Sequence, residues 1–335
     1  MIDFRYHLVS IVAVFLALAL GIVLGSTELR GAALSALDKT TSQLGNQNAA
    51  LRAERTQLQA QAQSGEAFAQ AVEPKLLAGL LTGKRLVIIA EPGAQDSVIS
   101  GITQAAKDAG ATITGQISLG TASNDTSDST VTRVDAMTQS LVSNGGTLSA
   151  AALSGTTAQQ AAQLLASTIL TTNSQASTQP SASAETVLKG YASVGYLTTS
   201  GTPAVRAQLA IVVTPANTAT DGSASATNAE LVTLADAFGA ASSATVVAGS
   251  EAGSSSGSAI AALRSSSTAS KVSSVDNADS TIGQIATIEA VASQLAGGKA
   301  NSYGLSQNGA NAVAPTPVAA ATPTPSTTAT KKHGK

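Results

Sequence analysis

From Leu8 to Gly25 the chain (LVSIVAVFLALALGIVLG) runs 18 residues without a charge and with a single hydroxyl, Ser10. As a helix at 1.5 Å per residue it spans roughly 27 Å, close to the roughly 30 Å hydrocarbon core of a bilayer. Leu, Ile, Val and Phe each favour insertion by about 0.3–0.6 kcal/mol, and nothing ionised opposes them. A secretory signal is the competing reading, but its apolar run is shorter, roughly 7–15 residues. No small-x-small cleavage site follows Gly25, where the chain reads Ser26-Thr27-Glu28-Leu29-Arg30. The pattern therefore predicts an uncleaved transmembrane anchor over residues 8–25, preceded by a short segment, residues 1–7.

Beyond the anchor the spacing changes. Leu37, Leu44, Leu51 and Leu58 recur at intervals of seven, which places Leu34, Thr41, Asn48, Arg55 and Ala62 at the companion a positions if the leucines are d. Heptads of this kind predict a coiled-coil stalk over residues 26–73, and a lone Asn at an a position fixes register in two-stranded coils at some cost in stability. The other a positions pack poorly. Confinement to a membrane would raise the effective concentration of the chains and help a weak zipper, so self-association through the stalk is expected. A single amphipathic helix packed on its own domain is the alternative. Pro74 is expected to close the helix, because it fixes φ and biases the preceding residue away from α.

A strand-and-helix alternation then begins. Lys84 to Ala90 is a continuous apolar run of the kind buried on both faces in parallel sheets. Pro92-Gly93 turns the chain, Ser97 to Ala109 reads as a helix ending at Gly110, and Ala111 to Ile117 as a second strand. Leu209 to Val213 is a strand closed by Pro215. Asn228 is expected to cap a helix running to Phe238, Thr245 to Ala248 to be a strand, and Thr281 to Leu295 a helix ended by Gly297-Gly298. Residues 130–143 and 158–171 read as helices, with a flexible excursion near 172–185. The expected fold is α/β over residues 74–304, a Rossmann-like, mostly parallel open sheet with helices on both faces. Residues 305–335, with Pro315, Pro317, Pro323 and Pro325 among Ala and Thr, read as a disordered tail.

Composition narrows the chemistry. The 335 residues include no Cys and no Trp, eight Phe and Tyr together, and 11% charged residues with a net charge of −2. Nucleic acid is not an expected partner, since counterion release needs many Lys and Arg on one face. Without Cys there is no disulfide, thiolate metal site or cysteine nucleophile. The two histidines, His7 beside the apolar helix and His333 in the tail, cannot orient a serine in the α/β region, so no Ser–His mechanism is expected there. The loop Glu91-Pro92-Gly93-Ala94-Gln95-Asp96 carries one Gly where a dinucleotide fingerprint needs three, and no phosphate-binding G-x-x-x-x-G-K-[ST] occurs. Glu91, Asp96, Glu251 and Asp276 fall near strand ends, where carboxylates serve as helix caps more often than as acid–base pairs. Met1, Met137, His7 and His333 are too scattered to supply a three-ligand copper cluster. No enzyme, no catalytic or cofactor-binding residue and no resident cofactor is expected, and no metal ligand is assigned.

Certain stretches nonetheless carry a family likeness. The opening Met1-Ile2-Asp3-Phe4-Arg5-Tyr6-His7 and the apolar run after it, Leu81-Thr82-Gly83-Lys84-Arg85 with Pro92-Gly93-Ala94, and Ser274-Val275-Asp276-Asn277-Ala278-Asp279 with Tyr303-Gly304 resemble the actinobacterial copper transporter family of the mycobacterial MctB type. The resemblance spans residues 1–304 and implies a membrane-anchored envelope protein that helps keep cellular copper low. It brings no established ligand or catalytic residue onto positions of this chain. A barrel pore would need many alternating strands with aromatic girdles, which eight aromatics do not supply, so transport would need oligomerisation or envelope partners. The expected topology is single-pass, with the N-terminus cytoplasmic and the bulk of the chain outside. The alternative function is a non-enzymatic envelope scaffold that presents an α/β module on a coiled-coil stalk.

Overall fold

The computed structural model describes residues 4–146, 148, 153–215, 223–250 and 257–305. Met1, Glu251, His333 and the tail from residue 306, with its expected disorder, lie outside the described residues. Contacts divide the chain into two units, Met1–Gly65 and Glu66–Lys335.

The first unit is helical. Helix α1, Phe4–Leu77, is unbroken, and its segment Phe4–Gly25, which holds an 18-residue window of mean hydropathy 2.9, is long and apolar enough to cross a membrane. Leu37, Leu44, Leu51 and Leu58 are all exposed, at 57–65%. The helix does not stop at Pro74 as expected but continues to Leu77. Proline in the last turn removes a single helical hydrogen bond, while the turn beyond it carries Leu77 into full burial. Burying a leucine stabilises by roughly 1.5–3 kcal/mol, enough to offset that loss.

The second unit is a seven-stranded sheet among the described residues, in the order β3-β2-β1-β4-β5-β6-β7. Its elements follow the chain as β1 Arg85–Ala90, α2 Asp96–Asp108, β2 Thr112–Leu119, α3 Asp128–Ser143, α4 Thr157–Ile169 and α5 Ala182–Ser193. They continue as β3 Leu197–Gly201, β4 Leu209–Val213, α6 Ser223–Ala241, β5 Ala244–Ala248, α7 Ala259–Ser265, β6 Ser273–Val275, α8 Thr281–Leu295 and β7 Ser302–Tyr303. All neighbouring strands pair in parallel except β3, which runs antiparallel to β2 at the edge.

Side chains alternate along a strand, and here both faces are covered. Val87, Ile89, Ala210 and Val212 point into one apolar layer with α3, α4, α5, α6 and α7. Leu86, Ile88, Leu209, Ile211 and Val213 point into the other, with α2, α8 and Leu77 at the end of α1. This is why β1 and β4 read as unbroken apolar runs rather than alternating ones. On the second layer, Glu66 of α1 accepts hydrogen bonds from the Thr281 amide and hydroxyl at the start of α8. A carboxylate there satisfies an orphan amide and complements the positive end of the helix.

Elsewhere the expected elements shift. Asn228 is not a cap: α6 begins at Ser223, and the Asn228 amide nitrogen donates to the Gly257 carbonyl at 2.6 Å. Within the segment near 172–185 the chain runs through short turns after Thr171, whose amide donates to Ala207 O at 2.9 Å, and a helix, α5, already begins at Ala182. Strands β3, β6 and β7 and helix α7 have no counterpart in the expected pattern. Ser273-Ser274-Val275 and Ser302-Tyr303 are too short and too hydroxyl-rich to stand out as strands.

Candidate functional site

In an open parallel sheet ligands bind beyond the carboxyl ends of the strands, where successive connections leave in opposite directions. That point lies between β1 and β4, because β1 leads to β2 on one side while β4, β5, β6 and β7 extend on the other. The chain leaves β1 through Glu91-Pro92-Gly93. The Glu91 amide prolongs the ladder by donating to Val213 O at 2.9 Å, and the Ala94 amide closes the turn on Glu91 O at 3.0 Å. Gly93 has φ 84°, the left-handed conformation that the turn needs and that side chains resist. Its expected role as a turn residue holds.

Glu91 faces a crevice that also holds Asn124, Tyr196 and Glu230 against Leu119 and Leu231. Beside it opens a cavity of about 360 Å³ lined by Asp125, Thr156, Thr157 and Ala158, with Tyr196 and Glu230 shared between the two. Separate segments of the chain deliver these groups. Glu230 rides on α6, Thr156 caps α4 in a reciprocal box with Gln159, and Asp125 sits in the turn before α3. Tyr196 is anchored just ahead of β3 through its backbone, its amide donating to Tyr191 O and its carbonyl accepting from Gly120 N. Its ring stacks at 4.9 Å and 34° on Tyr191, whose hydroxyl shares a hydrogen bond with Thr138.

The carboxyls of this crevice differ in character. Glu91 is half-buried, and partial desolvation in the crevice pushes its carboxyl up to about 8. Burial also raises Glu230. Asp125, on the exposed rim, is held below the usual range because the Thr130 hydroxyl and the Ser127 amide donate to it at 2.7 and 2.9 Å. Burial raises the Tyr196 hydroxyl, and repulsion from Tyr191 and Glu230 in their ionised forms adds to the effect. Two carboxyls are thus biased toward the neutral form and one toward the ionised form.

The other carboxylates singled out in the sequence play structural parts. Asp96 opens α2 and complements its positive end. Asp276 is fully buried and paired with Arg264 at 2.8 Å. His7 is exposed on the apolar part of α1, and Met137 packs against the apolar layer beneath α3 and α5. Asp96, Asp276 and Met137 do not line the Glu91 crevice, and among the described residues no three His, Cys, Asp or Glu side chains converge as metal ligands would. Tyr196, Glu230 and Asn124 escaped the sequence reading. They lie up to about 140 residues from Glu91, and only the strand order brings them together.

The chain is 29% identical over 307 residues to proteins named Copper transporter MctB from Mycobacterium bovis and Mycobacterium tuberculosis, covering 91% of this chain and 96% of theirs. It is 27% identical over 321 residues to the Mycobacterium leprae protein of that name, covering 94% of this chain and all of the relative. The sequence pattern of the family described as copper transport outer membrane protein, MctB, matches residues 1–315, from the apolar N-terminal helix through the last strand of the sheet, and the chain belongs to that family.

Proposed function

We propose that this chain is a membrane-anchored envelope protein acting in copper transport and homeostasis, where it helps keep intracellular copper low. The observation that carries this is the family match over residues 1–315, anchor and α/β unit together. The apolar Phe4–Gly25 helix supports the anchor, with the N-terminus cytoplasmic and the sheet outside. The sheet, wound on both faces around the β1–β4 switch point, is Rossmann-like. No enzymatic role is assigned. Copper is cargo here, and because ligating side chains do not converge among the described residues, passage of the ion is assigned to an assembly rather than to one chain.

The test is cell-associated copper at raised external copper in a deletion strain and in its complemented derivative. Excess copper in the deletion, restored by complementation, is expected. Equal copper in both would overturn the reading.

The assembly proposed is a parallel self-association through the stalk, with exposed Leu37, Leu44, Leu51 and Leu58 forming the seam and Asn48 setting its register. Replacing Asn48 with Leu removes the buried polar group that specifies two strands, so Asn48→Leu should stabilise the association and broaden its stoichiometry. Sedimentation equilibrium of the full chain in detergent reads this out. An unchanged distribution would remove Asn48 from the seam.

A further inference from the structure

Near its end, α1 carries a carboxylate oxygen that the fold leaves unbonded. Glu73 Oε1 is enclosed by protein and has no hydrogen-bond partner, and no ion pair joins Glu73 to another side chain among the described residues. The place is a joint. Residues 66–77 of α1 belong to the α/β unit: Ala69 is buried, Leu77 is buried in the layer of α2 and α8, and Glu66 holds Thr281 at the start of α8. Just beyond α1, the Leu81 amide donates to the Ala109 carbonyl at 2.8 Å, which ties the end of α1 to the end of α2. Asp108 is the last residue of α2, and Glu73 lies four residues before the end of α1. Two carboxylates thus approach each other beside helix ends that favour cations, and one of their oxygens is shut away from water.

We propose that this joint between α1 and the α/β unit is a pH-sensitive latch, tightened on acidification when Glu73 takes up a proton and loosened when it ionises. The latch is independent of the copper reading. Protonation removes the repulsion and lowers the cost of enclosing the carboxyl.

Burial raises the Glu73 carboxyl above its usual range, and Asp108 and then Glu66 add to the rise. These are the charged groups that act on it, one from α2 and one from α1 itself. From α8 comes Thr281, already engaged by Glu66 through its amide and hydroxyl. Lys75 and Lys107 are exposed, and neither pairs with Glu73. A shared metal ion does not account for the arrangement, since among the described residues no three carboxylates converge as ligands. A carboxyl raised in the folded chain binds its proton more tightly there than in the unfolded chain. Its stabilising effect is therefore complete below the usual carboxylate value and is lost as pH rises through the raised one.

Unfolding of the full chain in detergent, parent beside Glu73→Gln, tests this between pH 4 and 8. Glutamine keeps the shape of the protonated carboxyl and carries no charge. Glu73→Gln should raise Tm at pH 7.5 by about 2–4 °C, the scale for relief of one such group in a unit of this size. The gain should shrink on acidification and vanish at pH 4. Asp108→Asn, which removes the repelling charge from the other side, should also raise Tm at pH 7.5, and the two gains should be less than additive, as for interacting neighbours. Amide exchange locates the effect. Corrected for the intrinsic pH dependence of exchange, residues 66–83 should lose protection between pH 5 and pH 7.5 in the parent and keep it in Glu73→Gln. A Gln variant no more stable than the parent at pH 7.5, a gain that persists at pH 4, or equal protection of residues 66–83 in both proteins at pH 7.5 would overturn the proposal.

Discussion

Asp276→Ala should cost the folded sheet about 3–5 kcal/mol, the range seen when one partner of a buried ion pair is removed. The Arg264 side chain is 5% exposed and that of Asp276 is fully buried, with 2.8 Å between them. Arg264 also donates to Ser274 Oγ and to Tyr303 O, and Asp276 accepts from the Leu305 amide at 2.9 Å. The pair therefore joins α7, β6 and the end of β7 in one network. Deleting the carboxylate removes the 2.8 Å ion pair from the interior together with the acceptor of the Leu305 amide, and the loss of these buried contacts is the main cost. For a unit of this size the loss corresponds to a drop of roughly 10 °C in Tm. The double variant Arg264→Met with Asp276→Leu should lose much less, because both charged groups of the pair are replaced by apolar ones. Denaturant unfolding of the full chain in detergent measures both. A single variant within about 1 kcal/mol of the parent would show the pair to be dispensable.

Gly283→Ala sets local propensity against packing. Gly283 lies in the first turn of α8, and alanine is favoured over glycine inside a helix by about 1 kcal/mol. A Cβ at this position would fall 1.8 Å from the carbonyl oxygen of Asn277 and 2.7 Å from the Ala278 amide nitrogen. Both obstacles are backbone and cannot rotate away. The substitution should thus destabilise by about 3 kcal/mol, toward the upper end of over-packing effects, despite the propensity gain. Gly45→Ala is the control, since nothing lies within 4 Å of its Cβ. It should leave the unfolding of the sheet unchanged and raise helicity slightly. A neutral Gly283→Ala would mean that the loop from Asn277 to Ser280 yields to α8.

What could be read in advance follows burial. Strand β4 was legible to the residue because all five positions of Leu209–Val213 are buried, so its apolar run has no polar interruption. Helix α8 was equally clear, with Gly297 at φ 85° marking its end. Strand β3 was invisible for the opposite reason. Only Leu197 is buried there, and Thr198 to Gly201 face solvent, so its strand character comes from pairing with β2 alone. Helix α6 was read too short because Asn228, a common cap, here reaches to Gly257 from within the helix. At the crevice, Glu91 was visible from its place after a strand. Tyr196 and Glu230 were not, because no local spacing records which distant segments meet at a sheet edge. Asp276 was correctly placed near a strand end, but nothing in its surroundings along the chain named Arg264 as its partner.

The edges of the sheet bear on a hazard of proteins held close together at a surface. Exposed strand edges offer unpaired amides and carbonyls on which a neighbouring molecule can template further strands. Here one edge is β3, five residues whose Thr-Thr-Ser-Gly stretch is polar and ends at Gly201 with φ 74°, followed by Pro203. The other is β7, only two residues long. Neither offers a long, flat, apolar border, so crowding these molecules should not by itself convert their sheets into a growing intermolecular one.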